Sequence, residues 1–334
     1  MADIQTLIAR ETTDVRLDPI FLIGYSRSGT TMLRLMLNKH PDLFIPKELD
    51  FFQKIPRQYR NRIHQTKDAE SIVQRILPYY DSVLDKKYLK ELLQKKLPGD
   101  NKLLLACIYK ACAISIEKEN ARWGDKKPQH WQFVYKLQKW YPKAQFVEIV
   151  RDPRDVITSM EKSLPENVPL RKIFPAHIIL AWQWRYVYQT MTVQGKILGK
   201  ERYFRLKYED LVSKPRKNLE KICNFLQEKT NCVPEMLDFY QDARNPDLSD
   251  KGEQFRGTKN KVNVQSIGKF KSFLNEQQIQ DIEFICSDIM DEMNNTKVST
   301  LPTVTRRIYL NNVCNILTII WKIVRINRLI QGSL

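Results

Sequence analysis

Three short apolar runs, each ending at a turn and each followed by a helical pattern, constrain this chain more than any other feature. Ile20-Phe-Leu-Ile23 stops at Gly24, the run from Gln145 to Val150 stops at Arg151-Asp152-Pro153, and the run from Tyr203 to Tyr208 stops at Glu209-Asp210. The helical patterns that follow cover Thr30 to Lys39, Arg154 to Glu161 and Lys217 to Leu226. Continuously apolar strands alternating with helices predict a parallel sheet covered on both faces, with ligands at the carboxyl ends of its strands. Between these units, apolar spacings of three and four predict packing helices over Ala69 to Tyr80, Lys86 to Lys96, Leu103 to Glu119, Gln129 to Tyr141 and Ala176 to Leu198. Ala243 to Gln265, polar and rich in Asn, Asp and Lys, predicts a long loop.

The joint after the first run reads Gly24-Tyr-Ser-Arg-Ser-Gly29-Thr30-Thr31. Two glycines let the backbone wrap an anion, and a helix N-terminus adds N–H groups and the positive end of its dipole. A Walker A loop requires lysine where Thr30 stands. A nucleotide kinase needs that lysine and a magnesium ion to neutralise a transferring γ-phosphate. Arg27 and the hydroxyls here suit a less charged anion in a metal-free site. The fold class expected is therefore α/β, a P-loop-like parallel sheet flanked by helices, with a helix-rich periphery.

The second joint is Val150-Arg151-Asp-Pro-Arg-Asp-Val-Ile-Thr-Ser159. Asp152 as a helix cap and Pro153 in the first turn account for themselves. Arg151 at the strand end and Ser159 along the helix do not. An arginine and a hydroxyl converging on one point make a phosphate pocket.

In this order, the two joints resemble the 5′-phosphosulfate loop and the 3′-phosphate site of sulfotransferases that use 3′-phosphoadenosine-5′-phosphosulfate (PAPS). Arg27-Ser-Gly-Thr-Thr31, then His40-Pro41-Asp42, then Glu48, most resembles the branch holding tyrosylprotein sulfotransferases and bacterial relatives. The resemblance covers roughly residues 18 to 292 and implies one catalytic domain of ordinary size. It implies that Arg27, Ser28, Gly29, Thr30 and Thr31 hold the 5′-phosphosulfate, and that Arg151 and Ser159 hold the 3′-phosphate. By the same resemblance Glu48 is the catalytic carboxylate, and Lys126, in Trp123-Gly-Asp-Lys-Lys-Pro128, faces the bridging oxygen. Tyr208 falls on the adenosine site. Ser266-Ile-Gly268-Lys269-Phe270, preceded by Lys261, resembles the late loop over the cofactor, with phenylalanine in place of the family's tryptophan. The implied reaction is sulfuryl transfer from PAPS, leaving PAP, to a hydroxyl or amine without a metal. The rival reading is a P-loop kinase-like phosphotransferase. Small molecule, carbohydrate, lipid and peptide all remain open as acceptors.

Composition limits partners and setting. The net charge is +17, but the basic residues are spread widely, so charge alone names no partner and a nucleic-acid partner is not expected. The six cysteines form no Cys-x-x-Cys pair and none stands at metal-ligand spacing from a histidine. Met1 to Asp18 carries no apolar core of a signal peptide. A reducing, cytoplasmic setting is expected. Residues 1–304 read as the main domain and 305–334 as a basic amphipathic helix. Its polar positions Asn311, Asn315, Thr318, Lys322 and Arg325 step along one face; the apolar arc over the rest is wide, yet Lys322, Arg325 and Arg328 interrupt that arc too often for a bilayer span. The segment is expected to dock outside the catalytic core. Three fates are open to it: docking on its own core, a dimer seam, or a peripheral membrane contact.

Overall fold

The computed structural model describes residues 17–48, 101–114, 116–161, 169–241 and 259–330. The expected helices over 69–80 and 86–96, and residues 243–258 of the expected loop, lie outside the described residues.

The first strand, β1 (Ile20–Gly24), is buried along its whole length. Its side chains alternate between two apolar layers. Phe21 and Ile23 join one cluster, and Ile20 and Leu22 join the other. That alternation is why the run carries no polar face. The chain then forms α1 (Thr30–Asn38), β2 (Leu43–Phe44), α2 (Asn101–Ile114), β3 (Arg122–Lys126), a 3₁₀ turn at Pro128–Gln132, α3 (Val134–Trp140) and β4 (Gln145–Val150). After β4 come α4 (Pro153–Glu161), α5 (Ala176–Leu198), β5 (Tyr203–Lys207), α6 (Tyr208–Ser213), α7 (Pro215–Leu226) and α8 (Val233–Leu237). The last elements are α9 (Phe270–Phe273), α10 (Glu276–Ile285), α11 (Ser287–Glu292) and α12 (Val304–Ile330). The strands are all parallel in the order β2-β3-β1-β4-β5. The chain leaves β1 toward β2 and β3 on one side and later reaches β4 on the other. β1 is thus the switch point, and a crevice opens beyond its carboxyl end.

Three expectations are revised. Strand β3 was not expected, because Arg122-Trp-Gly-Asp-Lys126 is not an apolar run. Its polar side chains are buried with partners instead: Arg122 donates to Asp18 O (2.6 Å), Leu226 O (3.0 Å) and Gln145 Oε1 (2.8 Å). The helix expected over Leu103 to Glu119 stops at Ile114. Glu117 takes a left-handed φ of 59°, and Lys118 N turns back onto Ala113 O at 2.9 Å. The helix expected over Gln129 to Tyr141 is divided into the 3₁₀ turn and α3, with Phe133 at the joint.

Helix α12 docks on its own chain, so the expectation of docking outside the core is corrected. Leu310, Val313 and Leu317 are buried in the core cluster that includes α5 and α10. Arg306 pairs with the buried Asp281 at 2.5 Å, and Trp182 Nε1 donates to Thr318 Oγ1 at 3.0 Å. Thr318 thus faces α5, and the exposed Arg325 reaches Tyr186 of α5 at its rim, while Ile308, Ile316, Ile319 and Ile323 point outward. Among the described residues no helix is long and apolar enough to cross a membrane.

Candidate functional site

The carboxyl ends of β1, β3, β4 and β5 deliver their following residues to one crevice. Gly24 ends β1 against β4 so closely that a Cβ there would lie 2.5 Å from Ile149 O. Arg27 (φ 69°) and Gly29 (φ 100°) then take left-handed conformations, which turn the loop's backbone back on itself. Helix α1 starts at Thr30 with no side-chain cap and no acidic residue in its first turn. Its leading N–H groups and dipole are therefore available to an anion. Ser28 and Thr30 are buried here.

The arginines and the hydroxyl picked out by the two joints meet in space. Arg27 Nε donates to Ser159 Oγ at 2.9 Å, across 132 positions of sequence. Arg151 Nη1 donates to Arg27 O at 3.3 Å, and its guanidinium lies 4.4 Å from the centre of the Tyr208 ring. Burial, and then the charge of Arg151, hold the Arg27 pKa below the usual guanidinium value. Two adjacent, partly desolvated cations gain from an anion between them. Ser28 Oγ and Arg151 Nε are buried with no hydrogen-bond partner among the described residues. Such orphaned donors fit a bound phosphate or sulfate oxygen.

On the other side of the loop, Lys126 ends β3. Its Nζ donates to Glu48 Oε1 at 2.6 Å and to Thr31 Oγ1 at 3.2 Å. Burial lowers the Lys126 pKa, although the Glu48 carboxylate works against that shift. A carboxylate, an ammonium and the anion loop are therefore contiguous. That is the equipment for removing a proton from one oxygen and stabilising charge on another.

Tyr208 opens α6 directly after β5 and packs beneath Gly29, where a Cβ would meet its ring at 2.6 Å. Of the late loop, Ser266 O accepts from Arg151 Nη2 at 2.5 Å, and Gly268 (φ 74°) forms a turn. Lys261 and Lys269 are exposed at its rim.

Sequence reasoning missed three residues in this crevice. Asp155 accepts hydrogen bonds from Gly268 N (2.8 Å) and Phe270 N (3.0 Å). Glu209 accepts from Asp152 N at 2.9 Å, and burial raises its pKa. Gln129 Nε2 donates to Ser26 Oγ at 3.2 Å, tying the 3₁₀ turn to the loop. Asp155 and Glu209 stand in the same motifs as Arg151 and Tyr208, and nothing local in the sequence marks their partners.

His40, Asp42 and Glu228 bring ligand-type atoms within 4.8 Å of one another. Both His40 nitrogens are already engaged. Nδ1 accepts from Asp42 N (3.1 Å) and Nε2 faces Lys229 O (3.0 Å). Asp42 pairs with Lys229 and Glu228 with Arg122. This cluster ties the end of α1 to the segment after α7.

Comparison with known proteins agrees with this geometry. The model of the Sulfotransferase family matches residues 19–231. A protein-tyrosine sulfotransferase of Drosophila melanogaster is 27% identical over 217 residues, which is 64% of this chain and 38% of the fly protein. The chain thus matches well under half the length of that relative. A putative protein-tyrosine sulfotransferase of Caenorhabditis briggsae is 22% identical over 79% of this chain and 84% of its own. Among solved structures, the sulfotransferase domain of the Synechococcus PCC 7002 olefin synthase superposes with a TM-score of 0.57. It is 21% identical over 85% of this chain and 97% of that domain. The sulfotransferase domain of the curacin biosynthetic pathway gives 0.55, at 20% identity over 85% of this chain and 99% of that domain. These two likenesses establish the shared fold.

Proposed function

The chain belongs to the sulfotransferase family, and from that premise we propose that it moves a sulfuryl group from PAPS to a hydroxyl or amine acceptor. Glu48 takes the acceptor's proton as general base, a role worth roughly 10²–10⁴-fold. A bond forms between the acceptor oxygen or nitrogen and sulfur while the bond from sulfur to the bridging oxygen breaks. The electron pair stays on that oxygen, and Lys126 stabilises the charge as PAP leaves. Arg27, Ser28, Gly29, Thr30 and Thr31 hold the 5′-phosphosulfate in line. Arg151 and Ser159 hold the 3′-phosphate, and Tyr208 borders the nucleotide beneath Arg151. Lys261, Gly268 and Lys269 belong to the loop that covers it. No metal takes part. We assign the chemistry to residues 1–304, with α12, in the segment 305–334, as a brace. The relatives' names make a tyrosyl phenol the first acceptor to test, beside carbohydrate, lipid and small alcohols.

One observation carries this reading. Arg27 converges with Arg151 and Ser159, which lie 124 and 132 positions further along the chain, and a buried Ser28 Oγ and Arg151 Nε are left unpartnered among the described residues. A kinase reading has no comparable support, because Thr30 stands where the loop lysine would be. Calorimetry with PAP, 5′-AMP and ATP, with and without EDTA, tests it. PAP should bind tightest and independently of EDTA. Arg151→Ala should weaken PAP by about 1.5–3 kcal/mol, the range for a hydrogen bond to a charged group. ATP bound as tightly as PAP would overturn the 3′-phosphate pocket.

A further inference from the structure

Asp155 occupies the third position of α4 after its cap, Asp152, whose Oδ1 accepts from Arg154 N at 2.9 Å. An acid in a first helical turn ordinarily complements the dipole of its own helix. Asp155 does something else with both oxygens. Oδ2 accepts from Gly268 N at 2.8 Å and Oδ1 from Phe270 N at 3.0 Å, so one carboxylate holds two backbone donors of the late loop. Arg151 holds the same loop from the other side. Its Nη2 donates to Ser266 O at 2.5 Å and lies 3.9 Å from Asp155 Oδ2. Arg154 adds a stacking contact, 4.2 Å over the Phe270 ring. Arg154 is itself fixed by Asp152 at 2.6 Å and Glu283 at 2.5 Å. The loop is thus pinned to α4 through main-chain groups and one ring.

From this geometry we infer that Asp155 is a positioning residue, which seats the loop 266–270 against Arg151 and so sets the preference for nucleotides that carry a 3′-phosphate. The inference rests on the 3′-phosphate reading of Arg151 given above. The physical argument is one of satisfied groups. A buried carboxylate persists only when hydrogen-bonded or paired, and Asp155 is both. Released from Asp155, the Gly268 and Phe270 N–H groups lose their acceptor and the turn loses its anchor. Ser266 O then no longer orients the Arg151 guanidinium. Arg151 keeps its charge, but its fork is no longer fixed. Gly268 takes a left-handed φ of 74°, and among the described residues nothing lies within 4 Å of where a Cβ there would project, so no described side chain holds the turn in place of Asp155.

The test is Asp155→Asn. The amide keeps the volume but has a single acceptor oxygen, and its NH₂ opposes one of the two loop donors. Calorimetry should show PAP affinity falling roughly tenfold or more, in line with loss of a charge-assisted bond, while 5′-AMP affinity stays near wild type. The KM for PAPS should rise with kcat largely kept. Amide hydrogen exchange at Gly268 and Phe270 should accelerate. In an Arg151→Ala background the same substitution should cost little more, since it acts through that arginine. A role confined to fold stability would lower PAP and 5′-AMP affinity together and would not spare kcat. If the wild type itself fails to prefer PAP over 5′-AMP, the 3′-phosphate reading falls. If the wild type prefers PAP and Asp155→Asn keeps that preference, the positioning role is overturned. Should the variant fail to fold, Gly268→Ala disturbs the same turn from the loop side. An unchanged preference in that variant overturns the inference equally.

Discussion

Lys126 Nζ lies 2.6 Å from Glu48 Oε1, yet the lysine side chain is 6% exposed and the carboxylate 41%. The ammonium is held at the depth of the anion loop, and the carboxylate stands at the mouth where an acceptor would arrive. This asymmetry fits the roles proposed for the two residues. Glu48→Gln should reduce transfer by about 10²–10⁴-fold, the range for a general base, with PAP affinity close to wild type. Transfer of labelled sulfate and calorimetry on the same sample check both parts. A variant that keeps most of its turnover removes Glu48 from the base role.

The same pair sets an alkaline limit. Burial lowers the Lys126 pKa and Glu48 opposes the shift, so kcat/KM should fall with rising pH at a midpoint below the ordinary lysine value of about 10.4. In Glu48→Gln the opposing carboxylate is gone, and the limb in the residual activity should move to lower pH still. The sign for stability is opposite. The folded pKa lies below the unfolded one, so in that window the unfolded chain binds more protons, and this group's contribution to stability rises with pH. Activity loss should therefore precede unfolding, which parallel thermal melts would show. Coincident loss of fold and activity would count against a titrating Lys126.

Gly29 joins local backbone to the site. Its φ of 100° is one that other residues adopt with strain, and a Cβ would press within 2.6 Å of the Tyr208 ring. That ring also underlies Arg151. Gly29→Ala should cost about 1–3 kcal/mol of stability from the backbone alone. Because the displaced ring supports Arg151, PAP affinity should fall as well. Chemical denaturation and calorimetry separate the two effects, and a variant of wild-type stability and affinity would refute the packing argument.

What the sequence made legible follows from where each partner lies. Strands β1, β4 and β5 are legible because most of their residues are apolar, and the residues proposed to bind the anion follow directly from strand ends. Strand β3 is illegible because Arg122 and Lys126 are satisfied by groups distant in sequence: Asp18 and Gln145 for the first, Glu48 for the last. Asp125 meets His130 at 2.5 Å, but nothing local says that the pair is buried. Asp155 is illegible for the same reason, its loop partner Gly268 lying 113 positions away. In α12 the stepped polar positions do not all face the same surroundings. Thr318 packs inward against Trp182 on α5, while Asn311, Asn315, Lys322 and Arg325 are exposed, Arg325 bonding Tyr186 at the edge of α5.

The inner and outer faces of α12 give a test within a single helix. Leu317 is 2% exposed and sits in the core cluster, whereas Ile319, two residues on, is 57% exposed. Leu317→Ala removes packed methyl groups from a site that collapses only partly, and should cost about 2–5 kcal/mol. Ile319→Ala removes a side chain that faces outward, and should stay within about 0.5 kcal/mol. Equilibrium denaturation of both variants at two protein concentrations is the measurement. Equal small effects would mean that α12 does not buttress the fold, and the inner-face packing would be wrong. A large, concentration-dependent effect at Ile319 would mean instead that the outward isoleucines are covered by a second copy in solution.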